Sequence, residues 1–326
     1  MSLIVKISFL LLLIPSYSNS NWGFFSHKKI NRMAVFTIPD DELFHFYKHH
    51  IDFITDHAVD PDKRRYAVEG EAEKHYIDID YYAKKGENPF LNMPRKWNDA
   101  VNKHTEDTLR AYGISPWHIN NMVSRLTQAF RDKNLDRILR YSADLGHYVG
   151  DAHVPLHTTL NYNGHLTNQK GIHGFWESRV PELLSDDYDY LVGKAQYVKS
   201  PLNKIWDVIE HSFMAVDSVL TFESQLTKEW PEDRKYNFEN RGRVTMKVYS
   251  KDFTEEYALR LNGMHNRRMR ESILTVGSLW YTAWINAGQP SLDDLMKSIS
   301  ESYKKEIEST NKKSSTNKIF GRDHGR

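Results

Sequence analysis

The segment Leu145–His157 reads LGHYVGDAHVPLH and carries the residue types that hold a metal. His147 and Asp151 are four apart, so on a helix both point to one side, a turn displaced. His157 follows six residues after Asp151, beyond Pro155, which ends the helix and turns the chain. Downstream, GIHGFWES places His173 and Glu177 at the same four-residue spacing. An imidazole and a carboxylate on one helix face suit a borderline cation such as zinc, which takes N and O ligands at about 2.0–2.2 Å. One such pair arises by chance on any helix rich in His and acids. Two pairs and His157 within thirty-one residues point to a metal site.

Upstream, AVDPDKRR and EKHYIDID supply Asp60 and His75 as further candidates. Asp60 precedes Pro61, which biases it away from the helical region and marks the end of the preceding helix. Spacing alone does not choose among Asp60 and its neighbours Asp56 and Asp62. His153, beside the cluster, reads as a supporting or core residue rather than a ligand. His49-His50 reads as surface, and the other histidines follow no ligand spacing. Trp230, Trp280 and Trp284 lie in helical runs and read as core aromatics.

The elements that must position these groups are helical. Asp40–Asp56 repeats apolar residues at three- and four-residue steps after Pro39. Pro94–Tyr112 is a second amphipathic run, and Ser115-Pro116 opens a third that ends near Arg131. Leu135–Val149, Ile172–Leu184, Pro201–Leu226 and Thr254–Ala287 complete the set, with no alternating strand ladder and no internal repeat. The expectation is one all-α domain over 21–290, then a polar, frayed tail over 291–326.

Residues 1–20 have one cation (Lys6), an apolar run Ile7–Ile14, Pro15 and small residues up to Ser18-Asn19-Ser20. That is the layout of a signal peptide, too short to span a bilayer comfortably, and it implies a secreted or periplasmic protein with no membrane span after cleavage. With Cys 0, disulfides cannot staple such a chain, and metal is the obvious substitute. The 326 residues are 40% hydrophobic and 27% charged, enough for a sizeable core. Gly 16 and Pro 11 are too few for a many-turned all-β or linker-like chain. The formal charge of +1 gives no global field that would recruit nucleic acid or an anionic membrane, so such binding must be local.

WGxxxH from Trp22 to His27, HxxxDxHxPLH from His147 to His157, and HxxWE from His173 to Glu177 together resemble the zinc-dependent S1/P1 nuclease and bacterial phospholipase C superfamily. The motifs fall in the superfamily's order and run from Trp22 to about Leu184. The resemblance implies a helical fold enclosing three zinc ions. By position, Asp60, His75, His147 and Asp151 would hold one ion, and His157, His173 and Glu177 a second. Trp22, through its α-amino nitrogen and carbonyl oxygen, would join His27 and a bridging Asp151 on the third. Three zinc ions, less three carboxylates and a hydroxide, leave about +2 in the cleft, suited to a phosphate ester. Zinc-activated hydroxide would attack phosphorus, with Asp60 also able to accept the water's proton.

Three features depart from the pattern. The cleavage pattern leaves Asn21 ahead of Trp22, Glu177 stands where the nucleases have Asp, and the cysteines of the fungal nucleases are missing. The short WGxxxH spacing, His153 and Trp176 are nuclease-like. In that branch Tyr76 would stack on a base, Asp78 would read its edge and Lys63 would sit near the scissile phosphate. Glu177, the HYVGD wording and the short gap from His157 to His173 resemble phospholipase C. The expectation is a nuclease acting on single-stranded nucleic acid or nucleotides, with a 3'-nucleotidase activity compatible. The alternatives are a phospholipase C that takes a phospholipid head group, and a non-catalytic protein with a structural zinc cluster.

Overall fold

Apolar residues at helical spacing build nearly every element. The computed structural model describes residues 23–84, 86–241 and 244–314. The chain begins with α1 (Gly23–Val35), α2 (Asp41–His49), α3 (Ile51–Asp56) and the short α4 (Asp60–Arg64). After 3-10 turns come α5 (Trp97–His104), α6 (Glu106–Ala111), α7 (Ser115–Arg131) and α8 (Leu135–Ala152). The second half holds α9 (Ile172–Gly174), α10 (Val180–Leu184), α11 (Pro201–Glu229), α12 (Lys251–Arg260), α13 (Met264–Asn286) and α14 (Glu301–Ser314). The all-α class is what the periodicity predicts. Among the described residues no helix is long and apolar enough to cross a membrane.

Local chemistry sets the breaks inside the longer expected runs. Asp40–Asp56 divides into α2 and α3 at His50, and the Asp40 carboxylate caps α2 by accepting from Leu43 N at 3.0 Å. The run 94–112 breaks at Thr105, whose φ of 65° leaves the helical region. Thr254–Ala287 divides at Gly263, which takes the left-handed conformation at φ 73° between α12 and α13.

Helix α8 is the axis of the molecule. Every residue from Ser142 to Ala152 is buried, so this stretch meets protein on all sides. It packs on α1, α3, α7, α11 and α13. Gly146 and Gly150, four apart, face α1. A Cβ on Gly146 would lie 1.8 Å from Asn31 Oδ1, and one on Gly150 would lie 3.0 Å from His27 Nδ1. The glycines of HYVGD therefore let α1 approach closely enough to bring His27 onto α8. Asn31 ties the crossing together, its Nδ2 donating to Ala143 O at 3.0 Å and to Ile54 O at 3.3 Å.

The main core includes Phe46, Tyr47, Phe130, Leu145, Trp206 and Trp280, with Tyr47 and Trp280 stacked at 4.6 Å. A second cluster, including Leu156, Phe175, Trp176, Phe253 and Tyr257, underlies the chain from His157 to α10. Trp280 and Trp284 are buried and Trp230 packs on the second cluster, as the helical runs suggest.

Contrary to the expectation of no strand ladder, β1 (Tyr236–Arg241) and β2 (Val244–Tyr249) form an antiparallel hairpin with Tyr236 opposite Tyr249. Tertiary anchors hold it. Tyr249 stacks on Phe175 at 3.8 Å, while Arg179 donates to Tyr249 O at 3.0 Å and to Glu239 Oε1 at 2.5 Å. The region expected to be a polar tail contains α14, with Tyr303 buried near Phe53 and Arg140 donating to Glu306 at 2.7 Å.

Candidate metal centre

Six stretches of chain deliver His, Asp and Glu side chains to one place. His27 comes from the start of α1, Asp62 from α4, His75 from the turn after it, and His147 and Asp151 from α8. His157 lies just past Pro155, and His173 and Glu177 lie on α9 and the π-helical turn Phe175–Arg179. A π-helical turn is uncommon and recurs at functional sites.

Three groups result, each with its donor atoms within 4.8 Å of one another, and each could hold a metal ion. The first is His27, His147 and Asp151. The second is Asp62, His75 and His147. The third is His157, His173 and Glu177. Two carboxylates connect them. Asp151 presents Oδ1 to His27 Nε2 at 3.3 Å, and Oδ2 to His75 Nδ1 at 2.8 Å and His147 Nε2 at 3.3 Å. Glu177 presents Oε1 to His27 Nε2 at 3.5 Å, and Oε2 to His173 Nε2 at 2.8 Å and His157 Nε2 at 3.6 Å.

The orientation of two rings leaves lone pairs that a cation can use. His147 Nδ1 lies 2.9 Å from Ala58 O, and His157 Nδ1 lies 2.7 Å from His75 O. A carbonyl only accepts, so each Nδ1 carries the hydrogen, and in the neutral ring Nε2 is a lone pair. Those lone pairs point at carboxylate oxygens and at His75 Nδ1 and His173 Nε2, each 3.1 Å away. A ring hydrogen on His75 Nδ1 or His173 Nε2 can bridge each pair, and a metal ion in its place would be bound by the lone pairs and carboxylates together.

Electrostatics keeps the acids ionised. Burial pushes the Asp151 carboxyl up, but His147 and His157 outweigh it and hold it well below the usual range. Burial acts the same way on Glu177, and hydrogen bonds from His157, His173 and His27 hold it well below the usual range. Burial would lower His27, yet Asp151 and Glu177 raise it to about 10. Burial dominates at His75, which falls to about 4 and is neutral near pH 7.

The structure brings Asp62, not Asp60, to the cluster, with Oδ1 3.7 Å from His147 Nε2 and 3.9 Å from His75 Nδ1. Asp60 instead accepts from His57 Nδ1 at 2.6 Å and Lys63 Nζ at 2.8 Å. The reason is local. Pro61 does not only end a helix; it is the second residue of α4, and residues two apart on a helix lie roughly 200° apart. If Asp62 faces the site, Asp60 faces away. The same turn directs Lys63 to Asp60. The cation on the cluster's side is Arg65, buried, with Nη1 3.9 Å from Asp62 Oδ1, and within the fields of Asp151 and Glu177. Asp62 and Arg65 are three apart, a helix-face spacing that α4 makes readable.

Tyr76 and Asp78 are both buried. Tyr76 packs so closely under Gly113 that a Cβ there would lie 2.6 Å from its ring. Tyr81, five residues on, is exposed and stacks on Tyr112 at 3.4 Å. Trp22 and its expected contribution through the chain terminus lie outside the described residues, as does the expected signal peptide. Comparison with protein-family models and with curated proteins gives no match.

Proposed function

We propose that this chain is a zinc-dependent phosphodiester hydrolase of the S1/P1 nuclease and phospholipase C kind, secreted or periplasmic, with single-stranded nucleic acid or nucleotides as substrate. The observation that carries this reading is the chain of three N/O donor groups linked through Asp151 and Glu177.

The donors suit zinc. Tetrahedral zinc with bonds of about 2.0–2.1 Å sets neighbouring ligand atoms roughly 3.3 Å apart. The separations here run from 2.8 Å at His75–Asp151 and His173–Glu177, through 3.3 Å at His147–Asp151, to 3.9 Å at His75–Asp62. Structural zinc sites are usually closed and rich in sulfur, whereas this set has only imidazoles and carboxylates. Three ions are part of the proposal; His147, common to two of the groups, has one lone pair and would serve one ion, with Asp151 the carboxylate between the two.

When bound, zinc supplies positive charge opposite a phosphoryl oxygen and makes water acidic enough to serve as a nucleophile near neutral pH. The protein's own part is positioning and charge. The carbonyls of Ala58 and His75 fix the rings of His147 and His157. Asp151 and Glu177, held ionised, keep the groups in register. Arg65, the buried cation beside Asp62, is placed to neutralise a phosphate oxygen through its guanidinium.

Phospholipase C is the second reading. Glu177 resembles that branch, and the burial of Tyr76 favours it, because a buried ring offers no open face for a base. The deciding experiment incubates purified protein with single-stranded DNA and, separately, phosphatidylcholine, each with added zinc and beside a chelator control. Chelator-sensitive cutting of DNA supports the nuclease. Turnover of lipid alone moves the assignment to phospholipase C. Undiminished hydrolysis in excess chelator, after time for metal to leave, sinks the zinc mechanism.

A further inference from the structure

We infer that His153 positions His27 for metal binding through a single buried water held behind the site. The inference rests on the metal-hydrolase reading and assigns a role to a histidine that is not itself among the donors.

A cavity of about 30 Å³ lies behind the donor groups, lined by His27, Gly150, His153, Trp176 and Arg268 among others. That is room enough for a water molecule. His27, His153 and Trp176 are each 3% exposed. Each has one ring nitrogen, His27 Nδ1, His153 Nε2 and Trp176 Nε1, buried without a protein hydrogen-bond partner. Three unsatisfied polar atoms around one small cavity are costly unless something inside it pairs them.

Their chemistry fits water. His153 Nδ1 lies 2.7 Å from Val149 O, so it carries the hydrogen and Nε2 is an acceptor. The indole of Trp176 can only donate. A water accepting from Trp176 Nε1–H and from His27 Nδ1–H, and donating to His153 Nε2, makes three hydrogen bonds, the usual number for a buried water. The other polar groups of the wall have partners of their own: His265 Nδ1 lies 3.2 Å from Tyr188 Oη, and the Glu177 carboxylate faces His173 and His27. Ser26 Oγ donates to Glu177 O and Ser272 Oγ to Met269 O, while Arg268 serves His153 O, Val208 O, Ser212 and Glu271.

The consequence is a fixed tautomer. With one hydrogen held on Nδ1, His27 would offer Nε2, which faces Asp151 Oδ1 and Glu177 Oε1, to a metal ion in exchange for the proton it shares with those carboxylates. Ala58 O and His75 O do the same for His147 and His157 directly. For His27 the acceptor is His153, one water away. Gly150 preserves the gap, since a side chain there would press on His27 Nδ1.

The test measures zinc affinity by competition with a chromophoric chelator for the wild type, His153→Leu and His153→Gln. Imidazole ¹⁵N spectra of the zinc-loaded wild type are recorded alongside. The expected result is a loss of about 10–100-fold in affinity for the weakest ion in His153→Leu, as for other groups that support a ligand. His153→Gln, which keeps an acceptor, recovers most of it, and His27 shows a protonated Nδ1. Unchanged affinity in His153→Leu, or an unprotonated His27 Nδ1, overturns the inference while leaving the metal centre in place. A wild type that takes up no zinc overturns both. The tautomer is read on the wild type, so a leucine variant that fails to fold does not spare the idea.

Discussion

His27 and His147 stack face to face, ring centroids 3.9 Å apart and 26° from parallel, where α1 crosses α8. That contact joins the beginning of the described chain to its most buried helix, and makes one donor group out of residues 120 positions apart in sequence. The crossing is possible because Gly146 and Gly150 leave α8 without side chains on that face. Fold and site are thus one construction: the helix contact that closes the core also assembles the donors.

Gly146→Ala is the sharpest test of that construction. The new methyl would meet Asn31 Oδ1 at 1.8 Å and push out the side chain that bonds Ile54 O and Ala143 O. Overpacking of this kind costs about 1–3 kcal/mol, and displaced hydrogen bonds add to it. Urea denaturation should show a lowered midpoint with the slope unchanged. A variant as stable as the wild type would mean that α1 does not lie this close to α8.

Asp62 and Asp60 should separate cleanly under mutation. Asp62→Asn is expected to lower zinc affinity about tenfold or more, because its carboxylate faces His75 and His147. Asp60→Asn should leave zinc stoichiometry intact and lower Tm by a few degrees through the lost His57 and Lys63 contacts. Metal content by mass spectrometry and a thermal melt on the same samples decide it. The reverse pattern would restore Asp60 as the ligand.

These two aspartates show how far the sequence can be read. His147, Asp151, His173 and Glu177 stand out because a four-residue repeat on a helix is visible as text, and the fold brings His147 to Asp151 and His173 to Glu177. Asp62 is not visible in that way. Its direction depends on Pro61 starting a new helical turn, and the same proline reads equally well as an ending. The hairpin escapes for another reason: its strands carry several exposed polar residues, and its hold comes from Arg179 and Phe175, more than fifty positions away in sequence. The burial of Tyr76 depends on Gly113, a neighbour that no local pattern names.

Acid should weaken the support behind His75. Glu71 is buried with Arg64, Lys74 and the hydroxyl of Tyr148, and Arg64 also pairs with Asp144. Burial pushes the Glu71 carboxyl up, but Arg64 and Lys74 outweigh it and hold it far below its ordinary value of 4.5. A folded-state pKa below the unfolded one makes ionised Glu71 stabilising above about pH 4.5, and that contribution is lost as pH falls toward the depressed value. Glu71→Gln should therefore cost about 3 kcal/mol at pH 7, as breaking buried pairs does. The gap in Tm between wild type and variant should stay level from pH 7 to 5 and shrink below about 4.5. A gap independent of pH would show that Glu71 acts through packing rather than charge.

Arg65 and Lys63 provide the last contrast, and it bears on catalysis. Both belong to the run DKRR, yet only Arg65 is buried toward the donor groups, while Lys63 is spent on Asp60. A guanidinium that neutralises charge growing on a phosphate oxygen acts mainly in the transition state, so its loss should appear in kcat more than in KM. Arg65→Gln is expected to lower kcat about 100-fold or more on the substrate the paired assay identifies, with zinc content unchanged. Lys63→Ala should stay within about threefold of wild type, since its ammonium is directed to Asp60 and away from the donor groups. Equal losses in the two variants would assign the effect to the general field of the basic run. A loss confined to Lys63→Ala would reverse the placement that α4 gives them.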